Sequence, residues 1–146
     1  MVEPLLRVTN ASKFYPGGIE ALRGANLAID GGEFICLIGA SGCGKSTLLR
    51  IIAGFEHQTD GEVVMAGRPV TAPGPDRGMV FQDYGLFPWL TVRGNIAFGP
   101  AERGKKKAEV AQIAERCSAM MGLQRFADVY PHQLSDGMKP RVAVAR

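Results

Sequence analysis

Residues Gly39-Ala40-Ser41-Gly42-Cys43-Gly44-Lys45-Ser46 fit the pattern G-x-x-x-x-G-K-[S/T], and their flanks narrow the fold sharply. Ahead of them runs Phe34-Ile35-Cys36-Leu37-Ile38, a continuous apolar segment of the kind that forms a strand buried on both faces. Behind them Thr47 to Ala53 reads as a helix, with Gly54 as its stop. Strand, glycine loop and helix in that order predict an α/β unit whose backbone wraps around phosphate, the P-loop. Small residues at Gly39, Gly42 and Gly44 let several N–H groups and the positive end of the helix point at anionic oxygens. Lys45 is placed to reach the β- and γ-phosphates of a nucleoside triphosphate, and the Ser46 hydroxyl to hold Mg²⁺. The predicted nucleotide-binding loop is thus Gly39, Ala40, Ser41, Gly42, Cys43, Gly44, Lys45, Ser46 and Thr47.

Around this unit, Leu5 to Thr9, Leu22 to Ile29 and Glu62 to Met65 have the short, partly alternating pattern of strands. Turn signals at Pro16-Gly17-Gly18, Asp30-Gly31-Gly32 and Asp60-Gly61 separate them, which predicts an antiparallel layer wrapped around the P-loop unit. Gly78-Met79-Val80-Phe81 reads as another buried strand ending at Gln82, a favourable place for a ligand-facing side chain. From Lys105 to Met121 the apolar residues Val110, Ile113, Ala114, Cys117 and Met121 recur at spacings of three and four, predicting a helix with Gly122 as its stop. A last helix begins after Ser135, read as its N-cap.

The 146 residues suffice for one domain with a real core, and 46% hydrophobic with 21% charged content is that of a globular protein. A net charge of +3, scattered along the chain, gives no footprint for nucleic acid. The densest basic run, Arg103-Gly104-Lys105-Lys106-Lys107, reads as the solvated start of a helix. No apolar run reaches the ~20 residues that span a bilayer, and Met1-Val2-Glu3-Pro4 has no signal-peptide pattern, so a cytoplasmic setting is expected. Cys36, Cys43 and Cys117 lack disulfide or zinc spacing; Cys36 and Cys117 read as core, while Cys43 lies among the phosphate donors.

With these residues in place, the chain resembles the nucleotide-binding subunit of ABC transporters along its whole length. Met79-Val80-Phe81-Gln82 resembles the segment ending in the family's Q-loop glutamine, and Tyr130 to Met138, with Leu134-Ser135-Asp136-Gly137-Met138 at its end, resembles the signature motif. Ala72 to Gly78 and Leu86-Phe87-Pro88-Trp89-Leu90-Thr91-Val92 are most similar to importers of nitrate, sulfonates and taurine. The resemblance implies an α/β fold of P-loop NTPase, ABC-ATPase type, incomplete, with an antiparallel β layer and a helical subdomain. The implied division is 1–95 for the P-loop core with its β layer and 96–146 for the helical part.

It also implies ATP and Mg²⁺ as cofactors, with Tyr15, or alternatively Phe14, stacking on adenine, and Gln82 contacting Mg²⁺ or the attacking water. Two subunits would close head to tail, so that the Ser135 hydroxyl and Gly137 N–H meet the partner's γ-phosphate. The implied partners are a second ATP-binding subunit, an integral-membrane permease and, indirectly, an extracytoplasmic binding protein, with the chain peripheral on the inner face of the membrane. Tyr84, Leu86, Phe87 and Trp89 lie where the family docks on the permease; packing beneath Pro88 is the other reading of Trp89.

Two departures stand at the signature. Asp136 occupies the usual place of a second glycine, and two unit charges near 4 Å repel by about 1 kcal/mol in water and ~4 kcal/mol at an effective dielectric of 20. Pro140 is expected to kink the signature helix, at an interior cost of roughly 3 kcal/mol. The family's later motifs, an Mg²⁺-coordinating aspartate, its adjacent glutamate and a switch histidine, are not found in the 146 residues; His57 reads as a surface loop residue and His132 as the lead-in to the signature. The expectation is nucleotide binding without hydrolysis, in a fragment whose unpaired strand edges promote aggregation. The alternatives are a non-catalytic relic or regulatory fragment bound to a permease or full-length partner and, third, a soluble ABC ATPase.

Overall fold

The computed structural model describes residues 3–146; the reading of the first residues as free of a signal peptide rests in part on Met1 and Val2, which lie outside that range. Four strands form one antiparallel sheet in the order β2-β1-β3-β4: β1 is Leu6–Tyr15, β2 Ile19–Ile29, β3 Asp60–Met65 and β4 Arg68–Pro69. The predicted antiparallel layer is therefore present, with both hairpin strands longer than the apolar pattern implied. Buried positions in β1 fall at Leu6 and Val8 and then at Ala11, an odd step that strict alternation does not allow.

A bulge accounts for the change of phase. Val8 pairs with Leu27 and Ala11 with Ala25, so Thr9 and Asn10 stand opposite the single residue Asn26. Asn10 takes φ 49, a left-handed conformation that asparagine tolerates, and its N–H donates to Asn26 Oδ1 at 2.9 Å. On the other edge β1 is also one residue ahead of β3, where Gly61 faces the bulge at φ 84. A Cβ on Gly61 would lie 2.3 Å from the Asn10 carbonyl oxygen, so only glycine lets the strands approach there.

Helix α1, Lys45–Ala53, lays Leu48, Ile51 and Ile52, spaced as one helical face, against Leu6, Val8, Ala11 and Val63 of the sheet. Full burial of a side chain such as Ile51 contributes about 2–3 kcal/mol. Gly54 ends the helix as predicted: its N–H donates to Ile51 O at 3.0 Å and that of Phe55 to Arg50 O at 2.9 Å.

The run Phe34–Ile38 departs from its prediction. It lies in no strand, and Phe34 and Ile38 are 95% and 91% exposed; only Leu37 packs on the first core. A parallel-type strand owes its structure to neighbours on its edges, and no described segment pairs with this one. The same holds for Gly78 to Phe81, which is likewise outside any strand, with Val80 exposed. Cys36, expected in the core, is exposed for the same reason, while Cys117 is half-buried.

The chain divides into two compact units, one reaching to Met79 and the other running from Val80 to Arg146. The boundary expected at residues 95 and 96 instead falls inside a helix, α2, Val92–Glu102. Leu86 already packs with the second core, and the loop from Phe87 to Thr91 is tied to Asn95, so these residues belong to the second unit. That second core gathers Val92 and Ile96 of α2, Ala114 of α3 (Lys107–Met120), Leu123, Leu134, and Val142 of α4 (Lys139–Ala145). Gly122 stands just past α3 at φ 66, as the predicted stop.

Ser135 does not cap the last helix. Its carbonyl accepts from Met138 N at 3.0 Å and Lys139 N at 3.3 Å, closing a turn, and Met138 takes the N-cap place without a side-chain cap. Pro140 then falls in the first turn of α4, where its missing N–H has no intrahelical acceptor to lose. At that position the proline marks where the helix begins and does not interrupt its interior.

Candidate functional site

The loop from Gly39 to Gly44 leads directly into α1, though without a paired strand ahead of it. Gly44 precedes α1 at φ 92 and ψ 2, and a Cβ there would stand 2.3 Å from the carbonyl oxygen of Ala21 on β2. Glycine is required twice over, by the left-handed backbone and by the approach of β2. Ala21 is a residue that the sequence reading missed. It joins Ser41, Gly42, Lys45, Ser46 and Thr47 around an open depression of about 240 Å³.

Lys45 lies back across the loop, its Nζ donating to Gly39 O at 2.7 Å and Ala40 O at 2.6 Å, with Cys43 Sγ at 3.3 Å. The first turn of α1 holds no acidic residue and Gly44 offers no side-chain cap, so the chain supplies no negative charge of its own to the positive end of this helix. Such an end accepts an anion, and the small backbone cradle with one ammonium suits phosphate oxygens. No acidic side chain lines the depression. The donors fit Mg²⁺ only through the Ser46 hydroxyl together with phosphate oxygens, since no three His, Cys, Asp or Glu residues gather as a metal cluster among the described residues.

Tyr15, at the end of β1, is held from two sides. Its hydroxyl donates to Glu56 Oε2 at 3.4 Å, and Lys13 Nζ stands 5.1 Å from its ring centroid. Lys13 also pairs with Glu56 Oε1 at 2.6 Å and donates to the His57 carbonyl at 2.7 Å. The hydrogen bond from Lys13, aided by its charge, holds the Glu56 carboxyl below the ordinary glutamate range. Phe14 has no such brace and is exposed, and His57 is a surface residue as expected.

Gln82 belongs to the second unit, where it is exposed in a turn that Tyr84 closes at φ 64 with its N–H on Phe81 O. Further on, Trp89 is 70% exposed, and its ring centroid lies 5.5 Å from that of Phe87. The loop that carries it is fixed by Asn95, a fully buried residue absent from the sequence reading. Asn95 Oδ1 accepts from Phe87 N at 2.8 Å, and Nδ2 donates to the carbonyls of Phe87, Leu90 and Thr91 at 3.0–3.1 Å. Ser135, Asp136 and Gly137 are exposed on the turn before α4.

The sequence profile described as ABC transporter matches residues 22–146, and the chain belongs to that family. Among its relatives, the nitrate import ATP-binding protein NrtD of Synechocystis sp. is 47% identical over 144 residues, covering 97% of this chain and 54% of NrtD. The bicarbonate transport ATP-binding protein CmpC of Synechococcus elongatus is 56% identical over 145 residues, covering 95% of this chain and 22% of CmpC. The chain thus spans about half the length of NrtD and less of CmpC. Among solved structures, the ATP-binding cassette MJ0796, dimeric in a post-hydrolysis state bound to ADP and Pi, matches with a TM-score of 0.86 and 35% identity, covering 96% of this chain and 67% of that one. CbiO1 of Clostridium perfringens, part of the ABC transporter complex cbiONQ, matches at 0.81 and 28%, covering 99% and 61%. The neighbours are ABC ATPase cassettes, so the fold class is that of a P-loop NTPase of ABC-ATPase type, represented here by part of its length.

No helix among the described residues is long and apolar enough to cross a membrane.

Proposed function

We propose that the chain is the ATP-binding subunit of an ABC importer that powers uptake of nitrate, sulfonate or taurine-like solutes through a separate integral-membrane permease. The observation that carries this reading is the glycine loop, where Gly44 admits the Ala21 carbonyl and Lys45 bridges the loop at a helix end without its own acid. Relatives named for nitrate and bicarbonate import support the importer class. In this reading the loop N–H groups from Ser41 to Thr47 and the Lys45 ammonium bind the phosphates of ATP, Ser46 holds Mg²⁺ and Tyr15 receives the adenine, while Gln82 keeps the role implied by the family resemblance, a contact to Mg²⁺ or the attacking water. MgATP supplies the anhydride bond whose use drives transport. Ser135 and Gly137 face the nucleotide of a second subunit, and Tyr84, Leu86, Phe87 and Trp89 face the permease. The subunit works in the cytoplasm against the inner face of the membrane, fed indirectly by an extracytoplasmic binding protein.

These 146 residues hold nucleotide without hydrolysing it, the reading favoured by the lack of an acidic side chain around the loop. Titration with a fluorescent ATP analogue and Mg²⁺, alongside a phosphate-release assay, tests this. Binding by the wild type that falls at least tenfold in Lys45→Ala, with no turnover in either, is expected. Turnover that depends on Lys45 would overturn the non-hydrolytic reading, and equal binding by both proteins would overturn the site.

A further inference from the structure

The departure at Asp136 has a counterpart in the structure. Lys139 Nζ donates to Asp136 Oδ1 at 2.9 Å, although the Asp136 side chain is 95% exposed and that of Lys139 only 31%. The two residues belong to one turn, closed through the Ser135 carbonyl, on which Gly137 has open space where a Cβ would stand. An ion pair so exposed adds little to folding stability, because water screens it and ordering two side chains costs entropy. Its effect on the field around the turn is larger. Alone, Asp136 presents a full negative charge next to Ser135 and Gly137; paired, the turn presents a dipole with no net charge, whose field falls off faster with distance.

We propose that Lys139 is a positioning residue that neutralises Asp136, letting this turn approach the triphosphate held by a second copy of the chain. The inference rests on the reading of Ser135 and Gly137 as the face turned to a partner's nucleotide. It assigns to Lys139 a role conditional on Asp136: the lysine matters because the carboxylate is there.

Sedimentation velocity of the whole chain with Mg²⁺ and the β,γ-imido analogue of ATP tests it, with thermal melts as a check that each variant folds alike. Lys139→Gln is expected to weaken nucleotide-dependent self-association roughly fivefold, the size of one unscreened charge contact in water. Lys139→Arg keeps the charge and should leave association unchanged. In the Asp136→Gly background nothing holds the ammonium at the turn, so Lys139→Gln should have a clearly smaller effect. An equal loss in both backgrounds would overturn the coupling, as would association in Asp136→Gly with none in the wild type, which would show the pair failing to compensate while the signature face stands. If no variant associates while Lys45-dependent nucleotide binding persists, the reading of the signature face itself fails and takes this proposal with it.

Discussion

Leu6–Tyr15, a partly alternating run, and Phe34–Ile38, a continuous apolar one, both carry strand-forming residues, yet the first lies within a sheet and the second is in none. Val8 is 2% exposed between Leu27 and Val63, whereas Phe34 stands almost wholly in solvent. Composition sets a preference, but a strand's polar backbone needs partners, and it is the ladder on each side that converts preference into structure. The phosphate loop sits between these two regimes. Its distal side is anchored by α1 on a packed core, and its proximal side is an apolar run with a single residue, Leu37, packed.

The strongest way to break this comparison is to place a polar side chain in each run in turn. Val8→Asp buries an unpaired carboxylate and should cost more than about 4 kcal/mol, abolishing cooperative unfolding of the first unit in urea. Phe34→Ser should change stability by less than about 0.5 kcal/mol and reduce the chain's tendency to self-associate, since it removes exposed apolar surface from an unpaired segment. A Phe34→Ser protein that unfolds like Val8→Asp would show the run to be packed.

A smaller effect sharpens the same point in the second unit, where a side chain and not a strand satisfies the backbone. Asn95→Ala removes the acceptor of the Phe87 N–H and the donor to the Leu90 carbonyl, while the carbonyls of Phe87 and Thr91 keep the backbone N–H groups of Leu90 and residue 95. The expected loss is about 1–3 kcal/mol, read from the urea midpoint, together with faster proteolysis of the loop carrying Trp89. If Asn95→Ala stiffens or leaves that loop unchanged, the loop is fixed by something else.

The smallest effect concerns the brace of Tyr15. Lys13 lowers the Glu56 pKa in the folded chain, so the pair stabilises above the unfolded glutamate pKa and its contribution is lost as pH falls through the lower folded value. Glu56→Gln should therefore cost at most about 1 kcal/mol near neutrality and remove that part of the acid sensitivity. A Glu56→Gln protein with an unchanged acid limb would contradict the assignment.

Much of this was legible in the residues themselves. The glycine loop, α1 with its stop at Gly54, the antiparallel layer and α3 with its stop at Gly122 arise from local pattern and turn chemistry. What was not legible depended on partners or on tertiary contacts. The strands at Phe34 and Gly78 were read from composition that the described residues do not satisfy. Helix α2 escaped notice because Gly94, Gly99 and Pro100 dilute its apolar stripe, although Thr91, whose Oγ1 accepts from Gly94 N at 3.1 Å, was a cap in plain sequence. Asn95 left only a faint signal, a polar residue beside the Val92 and Ile96 stripe, and Ala21 left none, since only the fold brings its carbonyl to Gly44. Pro140 resembles an interior proline in the sequence because nothing local marks Lys139 as the first helical residue, whereas its place in the first turn makes it a start signal.

Amide hydrogen exchange of the whole chain, with and without Mg²⁺ and the β,γ-imido analogue of ATP, tests the central claim most directly. The account predicts slow exchange in β1, fast exchange over residues 34–38, and nucleotide-dependent protection confined in the first unit to the loop from Gly39 to Thr47 and its surroundings at Ala21 and Tyr15. Protection of residues 34–38 equal to β1 in the monomer, or no change at the loop on adding nucleotide, would contradict it.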